Sequence, residues 1–206
     1  TVIHNGYLYA IAGYSNGNLN TIDFAPIKPD GTIASGSWWS TSVGPLTARS
    51  GHAAVVQYGH LYVIGGDGAS GKDVVFFKLW ANGTPEMLGA VTALPENRVS
   101  HTAVAYNGRI HVTGGLGLDS VIGIDVNTDG TLGSTWTATT RLPATRNQHS
   151  SVVANGFLYV LGGITGGTNP TNAIHYAPIR PDGGVGSAWA ASGPAAGARD
   201  QFGTAY

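Results

Sequence analysis

The chain has 206 residues, of which only 10% are charged, and ten Lys and Arg stand against eleven Asp and Glu for a net charge of −1. That balance offers no basic patch for nucleic acid, and no apolar run approaches the length of about 18 residues that suggests a bilayer span. The absence of cysteine removes disulfides, thiol nucleophiles and thiolate metal sites together.

In chain order, residues 1–3 (TVI) read as a short strand and HNG (4–6) as a tight turn, because Asn-Gly between apolar runs supplies two residues at positive φ. YLYAIAG (7–13) is the second strand and ends on a small-residue pair. YSNGNLN (14–20) is a loop, and TIDFAPI (21–27) a third strand that turns at KPDGT (28–32), where Pro, Asp and Gly each supply turn geometry. A fourth strand follows with Trp39, and a Pro-containing connection leads to Arg49 and His52.

The same text then recurs. HAAVVQY, the turn YGH and HLYVIGG (60–66) open the second unit; DGASGKD (67–73) is its loop, VVFFKLW (74–80) its third strand and WANGT (80–84) its turn. Its Asn82-Gly83-Thr84 is a formal glycosylation sequon, but it occupies the turn that other units fill with Asp-Gly. The third unit carries RIHVTGG (109–115), LGLDS (116–120), VIGIDV (121–126) and NTDGT (127–131). The fourth carries HSSVVA, FLYVLGG (157–163), ITGGTNPTN (164–172), AIHYAPI (173–179) and RPDGG (180–184).

Four markers keep phase through the whole chain. They are the strand-ending glycines Gly13, Gly66, Gly115 and Gly163; the arginines Arg49, Arg98, Arg146 and Arg199; Trp39, Leu88, Trp136 and Trp189 ten residues before them; and His52, His101, His149 and Phe202 three residues after. Self-similarity at about 50 residues, with four short strands per unit and no helical periodicity, predicts an all-β propeller of four antiparallel four-stranded blades. The blades fall at about 1–49, 50–98, 99–146 and 147–199, and 200–206 begins a further strand. In such a blade the glycine pair lets neighbouring backbones approach near the axis, and the tryptophan fills the wider outer gap.

A glycine doublet, a third-strand aromatic (Phe24, Phe76, Tyr176), a tryptophan after it, and then LP..R..H resemble the kelch repeat over essentially the whole chain. The turns APIKPDGT and APIRPDGG are similar to those of bacterial and archaeal extracellular kelch arrays. The sequence departs at Ala12-Gly13, at Leu88 and at Gly123. The resemblance implies a ring of six or seven blades, sometimes fewer, that binds protein or glycan. Its alternatives are an enzyme with a site at the channel mouth, of sialic-acid mutarotase type or another, and a purely structural segment of a surface array. The copper oxidases of the fold need a cysteine cross-linked to a tyrosine, which this chain lacks. No cofactor is expected. Only three lysines (Lys28, Lys72, Lys78) leave a surface of Ser, Thr, Asn and Gly, which suits a secreted or cell-surface protein.

Candidate site residues follow from topology. In an up-down blade the second-to-third-strand loops and the blade connections share one face, and variable loops on a rigid scaffold make a binding surface. Tyr14, Asp67 and Asp119 are the expected contacts there. Arg49, Arg98, Arg146 and Arg199 either ring an anionic ligand or brace the blades through carbonyls. His52, His101 and His149 are weak zinc or copper candidates against a role in packing the connections. Asp125, Asn127 and Asp129 match the first half of a calcium loop, but position twelve is Trp136 rather than an acid. Trp80 stands on the opposite face where other units have Lys28, Asn127 and Arg180, and is either covered by neighbours or a contact point.

The ends are copies of one inner strand. Thr1, Val2 and Ile3 take the positions of Ser151, Val152 and Val153, and so do Thr204, Ala205 and Tyr206. A ring closed within one chain has room for one of them. The expectation is a segment of a longer array, or self-association in which two copies contribute eight blades.

Overall fold

The computed structural model describes residues 1–42 and 46–201. Phe202, Thr204, Ala205 and Tyr206, and with them the expected further strand, lie outside the described residues.

Four antiparallel four-stranded sheets make a four-bladed β-propeller. The first blade is β1 (Val2–His4), β2 (Tyr7–Tyr14), β3 (Asn18–Pro26) and β4 (Trp39–Ser42). The second is β5 (Ala53–Gln57), β6 (His60–Ile64), β7 (Val74–Leu79) and β8 (Pro85–Ala90). The third is β9 (Thr102–Tyr106), β10 (Arg109–Thr113), β11 (Val121–Asp125) and β12 (Thr137–Ala138). In the fourth, β13 (Ser150–Ala154) and β14 (Phe157–Leu161) are followed by a two-stranded ribbon, β15 (Ile164–Thr165) and β16 (Asn169–Pro170). β17 (Ile174–Pro178) and β18 (Ala190–Ala191) complete it. The expected loop 67–73 holds a 3-10 turn at Gly68–Ser70.

Each blade opens on the same hairpin. Asn5-Gly6, Tyr58-Gly59, Asn107-Gly108 and Asn155-Gly156 all have both residues at positive φ, as a two-residue turn of this hand requires. Cross-strand register then aligns the blades. Tyr9 faces Phe24, Tyr62 faces Phe76, His111 faces Gly123 and Tyr159 faces Tyr176. Blade 3 has exchanged its aromatic pair, and the Arg109 guanidinium lies over Gly123 where a side chain would collide with it.

The glycine doublets are explained by the blade connections. Gly65 and Gly66, Gly114 and Gly115, and Gly162 and Gly163 all have positive φ. A Cβ on Gly65 would meet the Arg98 carbonyl at 2.7 Å and the His101 ring at 2.8 Å, so the backbone conformation and the close approach both demand glycine. Ala12 takes the first position in blade 1 at φ 45°, a strained setting for a residue with a Cβ.

Blades pack face to face through three buried cores. One joins Tyr9, Ile22 and Phe24 of blade 1 to Leu61, Val63 and Phe77 of blade 2. The next joins Tyr62, Ile64 and Phe76 to Ile110, Ile124 and Trp136, and the third joins Val121 and Leu142 to Leu158, Val160 and Ala177. Among the described residues no such core joins blade 4 to blade 1.

Register corrects two of the markers. Thr137 faces Gly123 and Ala190 faces Tyr176, so Trp136 and Trp189 sit one position earlier, on the side facing the preceding blade. In blade 1 Trp39 faces Phe24, so the equivalent position belongs to Trp38. In blade 2 a bulge carries Leu88 out to solvent and puts Met87 opposite Phe77. Spacing to the arginine cannot register one extra residue in a connection, so the two markers came out one position late.

Candidate functional site

The inner strands β1, β5, β9 and β13 line a cavity of about 720 Å³. Its lining is apolar along Val55, Val104 and Val153 and polar at one end, where β5, β9 and β13 begin. That end is the loop face, because the antiparallel strands β2, β6, β10 and β14 finish there.

His52, His101 and His149 line this polar end together. Burial depresses all three: His52 to about 4, and His101 and His149 to about 3, with repulsion from neighbouring arginines adding to it. They are therefore neutral at physiological pH. Each of the last two packs over the first glycine of the preceding doublet, His101 on Gly65 and His149 on Gly114. His149 Nε2 lies 2.9 Å from both Thr102 Oγ1 and Thr113 Oγ1, and Ser151 Oγ donates to Thr102 Oγ1 at 2.7 Å. The sequence reading missed this hydroxyl cluster. The available signal was Thr113, a hydroxyl at a strand position filled elsewhere by Ile11, Ile64 and Leu161.

The arginines divide. Arg49, Arg98 and Arg146 are 0%, 1% and 3% exposed and donate to the carbonyls of Gly65, Gly114 and Gly162 at 2.9, 2.6 and 2.9 Å. Their own carbonyls accept from the N–H groups of Gly13, Gly66 and Gly115 in the preceding blade. Each arginine thus stitches two successive doublets, and the structure does not present these three as an anion-binding ring. Arg98 also bonds Ser120 and the Glu96 carboxylate. Arg199 is exposed, and its side chain donates to the Gly197 carbonyl at 3.4 Å.

On the rim, Tyr14 is 74% and Leu116 62% exposed. Asp67 is pinned: it accepts from Ser50 N at 2.7 Å and Asn18 Nδ2 at 2.8 Å, which hold its carboxyl below the ordinary value. Asp119 pairs with Arg141. Trp80, on the opposite face, donates to Glu86 Oε2 at 2.8 Å and lies under Lys78 Nζ, so its ring is partly covered while remaining exposed. The half calcium motif is not gathered. Asp125 pairs with Arg109, Asp129 Oδ1 accepts from Thr131, and Asn127 donates to Thr131. Among the described residues no three His, Asp or Glu side chains are grouped to hold a metal.

The fold and its mouth define the class, a four-bladed β-propeller with a cavity, polar at its mouth, under a rim of variable loops. Among solved structures, that of YjhT superposes on it with a TM-score of 0.69 at 17% identity, covering 96% of this chain and 70% of that one. This likeness concerns the fold. No protein-family model and no curated protein matches the sequence.

Proposed function

We propose that the chain is a kelch-type propeller module, spanning 1–206 as one array, that binds a protein or glycan at its variable-loop face without catalysis. The glycine doublets, the stitching arginines and the LP..R..H spacing support the kelch reading. The low charge, scarce lysine and missing cysteine support a secreted or cell-surface setting. One observation carries the binding reading. The exposed Tyr14 and Leu116 lie on the same loop face as the Asp67 carboxylate held by Ser50 and Asn18, while burial depresses the histidines at the polar end of the cavity to about 3 or 4. Imidazoles of that basicity are poor proton acceptors at neutral pH, whereas a rigid rim of aromatic, apolar and carboxylate groups is a binding surface.

The test is a glycan array and a panel of extracellular proteins, followed by titration of the best ligand. Tyr14→Ala and Leu116→Ser should each weaken binding about tenfold with the melting temperature unchanged. Binding that ignores both substitutions would remove the loop face from consideration. One observation favours a second reading, an enzyme of mutarotase type: the Thr102, Thr113 and Ser151 hydroxyls gathered at His149. Anomer exchange followed by NMR, lost in Thr113→Val, would establish that reading instead.

A further inference from the structure

One contact recurs at all three junctions between successive blades, and two more occur at two junctions each. The residue opening the second strand covers the turn glycine of the following blade: Tyr7 over Gly83, His60 over Gly130, Arg109 over Gly183. The tyrosine two residues on donates to that glycine's carbonyl, Tyr9 to Gly83 at 2.9 Å and Tyr62 to Gly130 at 2.7 Å. The outer tryptophan donates back to the preceding blade, Trp136 to Thr92 O at 3.0 Å and Trp189 to Thr140 O at 3.1 Å.

At the two ends each contact is present as one half. On blade 4, Phe157 and Tyr159 take the places of Tyr7 and Tyr9. Tyr159, Leu161, Ile174 and Tyr176 are half-buried, where Tyr62, Ile64, Val74 and Phe76 are buried. On blade 1, Gly31 is the matching turn glycine and has open space around it among the described residues, and Trp38 is 45% exposed. Asp23 Oδ1, on the same face as Trp38, is buried without a hydrogen-bond partner among the described residues. Arg199 is the fourth half, since its relatives reach the first residue of the next doublet, and the doublet left over is Ala12-Gly13.

We infer that the trailing face of blade 4 docks the leading face of blade 1 in a second copy of this chain, head to tail. Phe157 covers Gly31, Tyr159 donates to the Gly31 carbonyl, Trp38 reaches the Gly193 carbonyl and Arg199 reaches Ala12. The occupant follows from the interface the molecule already builds between its own blades, the turn-glycine contact at all three junctions and the tyrosine and tryptophan bonds at two each. A heterologous contact of this kind closes when its rotation permits, most simply with two copies and four blades from each.

Light scattering on the eluting 206-residue chain should give twice the 21.1 kDa chain mass, or a larger species. Trp38→Asp on the leading face and Tyr176→Asp on the trailing face should each give a monomer. Mixing these two variants should restore a dimer, because each retains the half the other lacks; a symmetric face-to-face contact gives no such rescue. Circular dichroism establishes that each variant is folded, and Phe157→Asp replaces Tyr176→Asp if the latter is not. A monodisperse wild-type monomer at micromolar concentration, or folded variants that stay apart on mixing, would overturn the inference.

Discussion

Trp136→Ala tests whether the blade-to-blade cores hold this fold. The indole is 8% exposed between blades 2 and 3, within a cluster that includes Phe76, Ile110 and Ile124, and its Nε1 donates to the Thr92 carbonyl at 3.0 Å. An aromatic side chain of this kind buries roughly 150–250 Å², worth roughly 4–6 kcal/mol as an upper bound at about 25 cal/mol per Å². Truncations of large aromatics cost about 3–5 kcal/mol because the cavity relaxes only in part. Trp136→Phe keeps most of the apolar area and loses the hydrogen bond, so it should cost about 1–2 kcal/mol. Urea unfolding at one fixed protein concentration measures both. A loss below about 1 kcal/mol for the alanine variant, the range of an ordinary surface change, would refute the assignment of Trp136 to the interblade core.

Gly114→Ala should cost more than about 3 kcal/mol, since φ is +61° and the new Cβ would collide with the Arg146 carbonyl, whereas Gly117→Ala, also at positive φ but in open space, should cost about 1 kcal/mol. Equal losses in urea would mean that close approach does not set the doublet. Arg98→Met should cost about 1–3 kcal/mol because it strands the Gly114 carbonyl under the connection; a neutral result would dismiss the stitch. His52, His101, His111 and His149 have folded values of about 3 to 4 against 6.5 unfolded, so the unfolded chain binds more protons between those limits. Their stabilising contribution is full above pH 6.5 and falls as pH drops below it, at about 1.4 kcal/mol per histidine per pH unit. Cooperative unfolding by circular dichroism is expected above pH 4, and a native spectrum persisting at pH 4 would contradict it. Calorimetry with zinc, copper and calcium should show no stoichiometric tight site, since His149 Nε2 is shared by two threonines and Asp129 by Thr131. A sub-micromolar zinc site lost in His101→Ala would reverse the structural reading of the histidines.

What the sequence made legible is what each blade must repeat. Gly65, Arg98 and His101 meet within one connection, and the geometry recurs at Gly114, Arg146 and His149, so selection for packing writes the same letters at the same spacing. The four-bladed architecture follows from that periodicity alone. Phase along the chain and register across the sheet are different quantities, however. The extra residue after β4 and the bulge at Leu88 preserve the first and shift the second, which is why Trp38 and Met87 were hidden behind Trp39 and Leu88. The candidate site was harder to read for the opposite reason. Thr102, Thr113 and Ser151 come from β9, β10 and β13 of two blades and His149 from the connection just before β13, and only Thr113 breaks its repeat in a visible way.

The same separation bears on how the arginines act. An arginine found at each of the three blade junctions at 0–3% exposure, with its guanidinium on one doublet and its carbonyl on another, couples neighbours in sequence order. Stability in such an array is a sum of blade terms and nearest-neighbour terms, and among the described residues blades 1 and 4 each pack against one neighbour. The half-buried Tyr159 and Tyr176 and the exposed Trp38 are where that deficit is visible. It follows that substitutions in the blade 2–3 core should lower stability at any protein concentration. Substitutions at Trp38 or Tyr176 should matter only at concentrations where a second copy docks, because association adds stability by mass action. Melting curves across a hundredfold dilution series distinguish the two. If Trp136→Ala and Trp38→Ala lower the melting temperature by amounts that are alike and independent of dilution, the end faces are held within a single chain and the coupling described here is wrong.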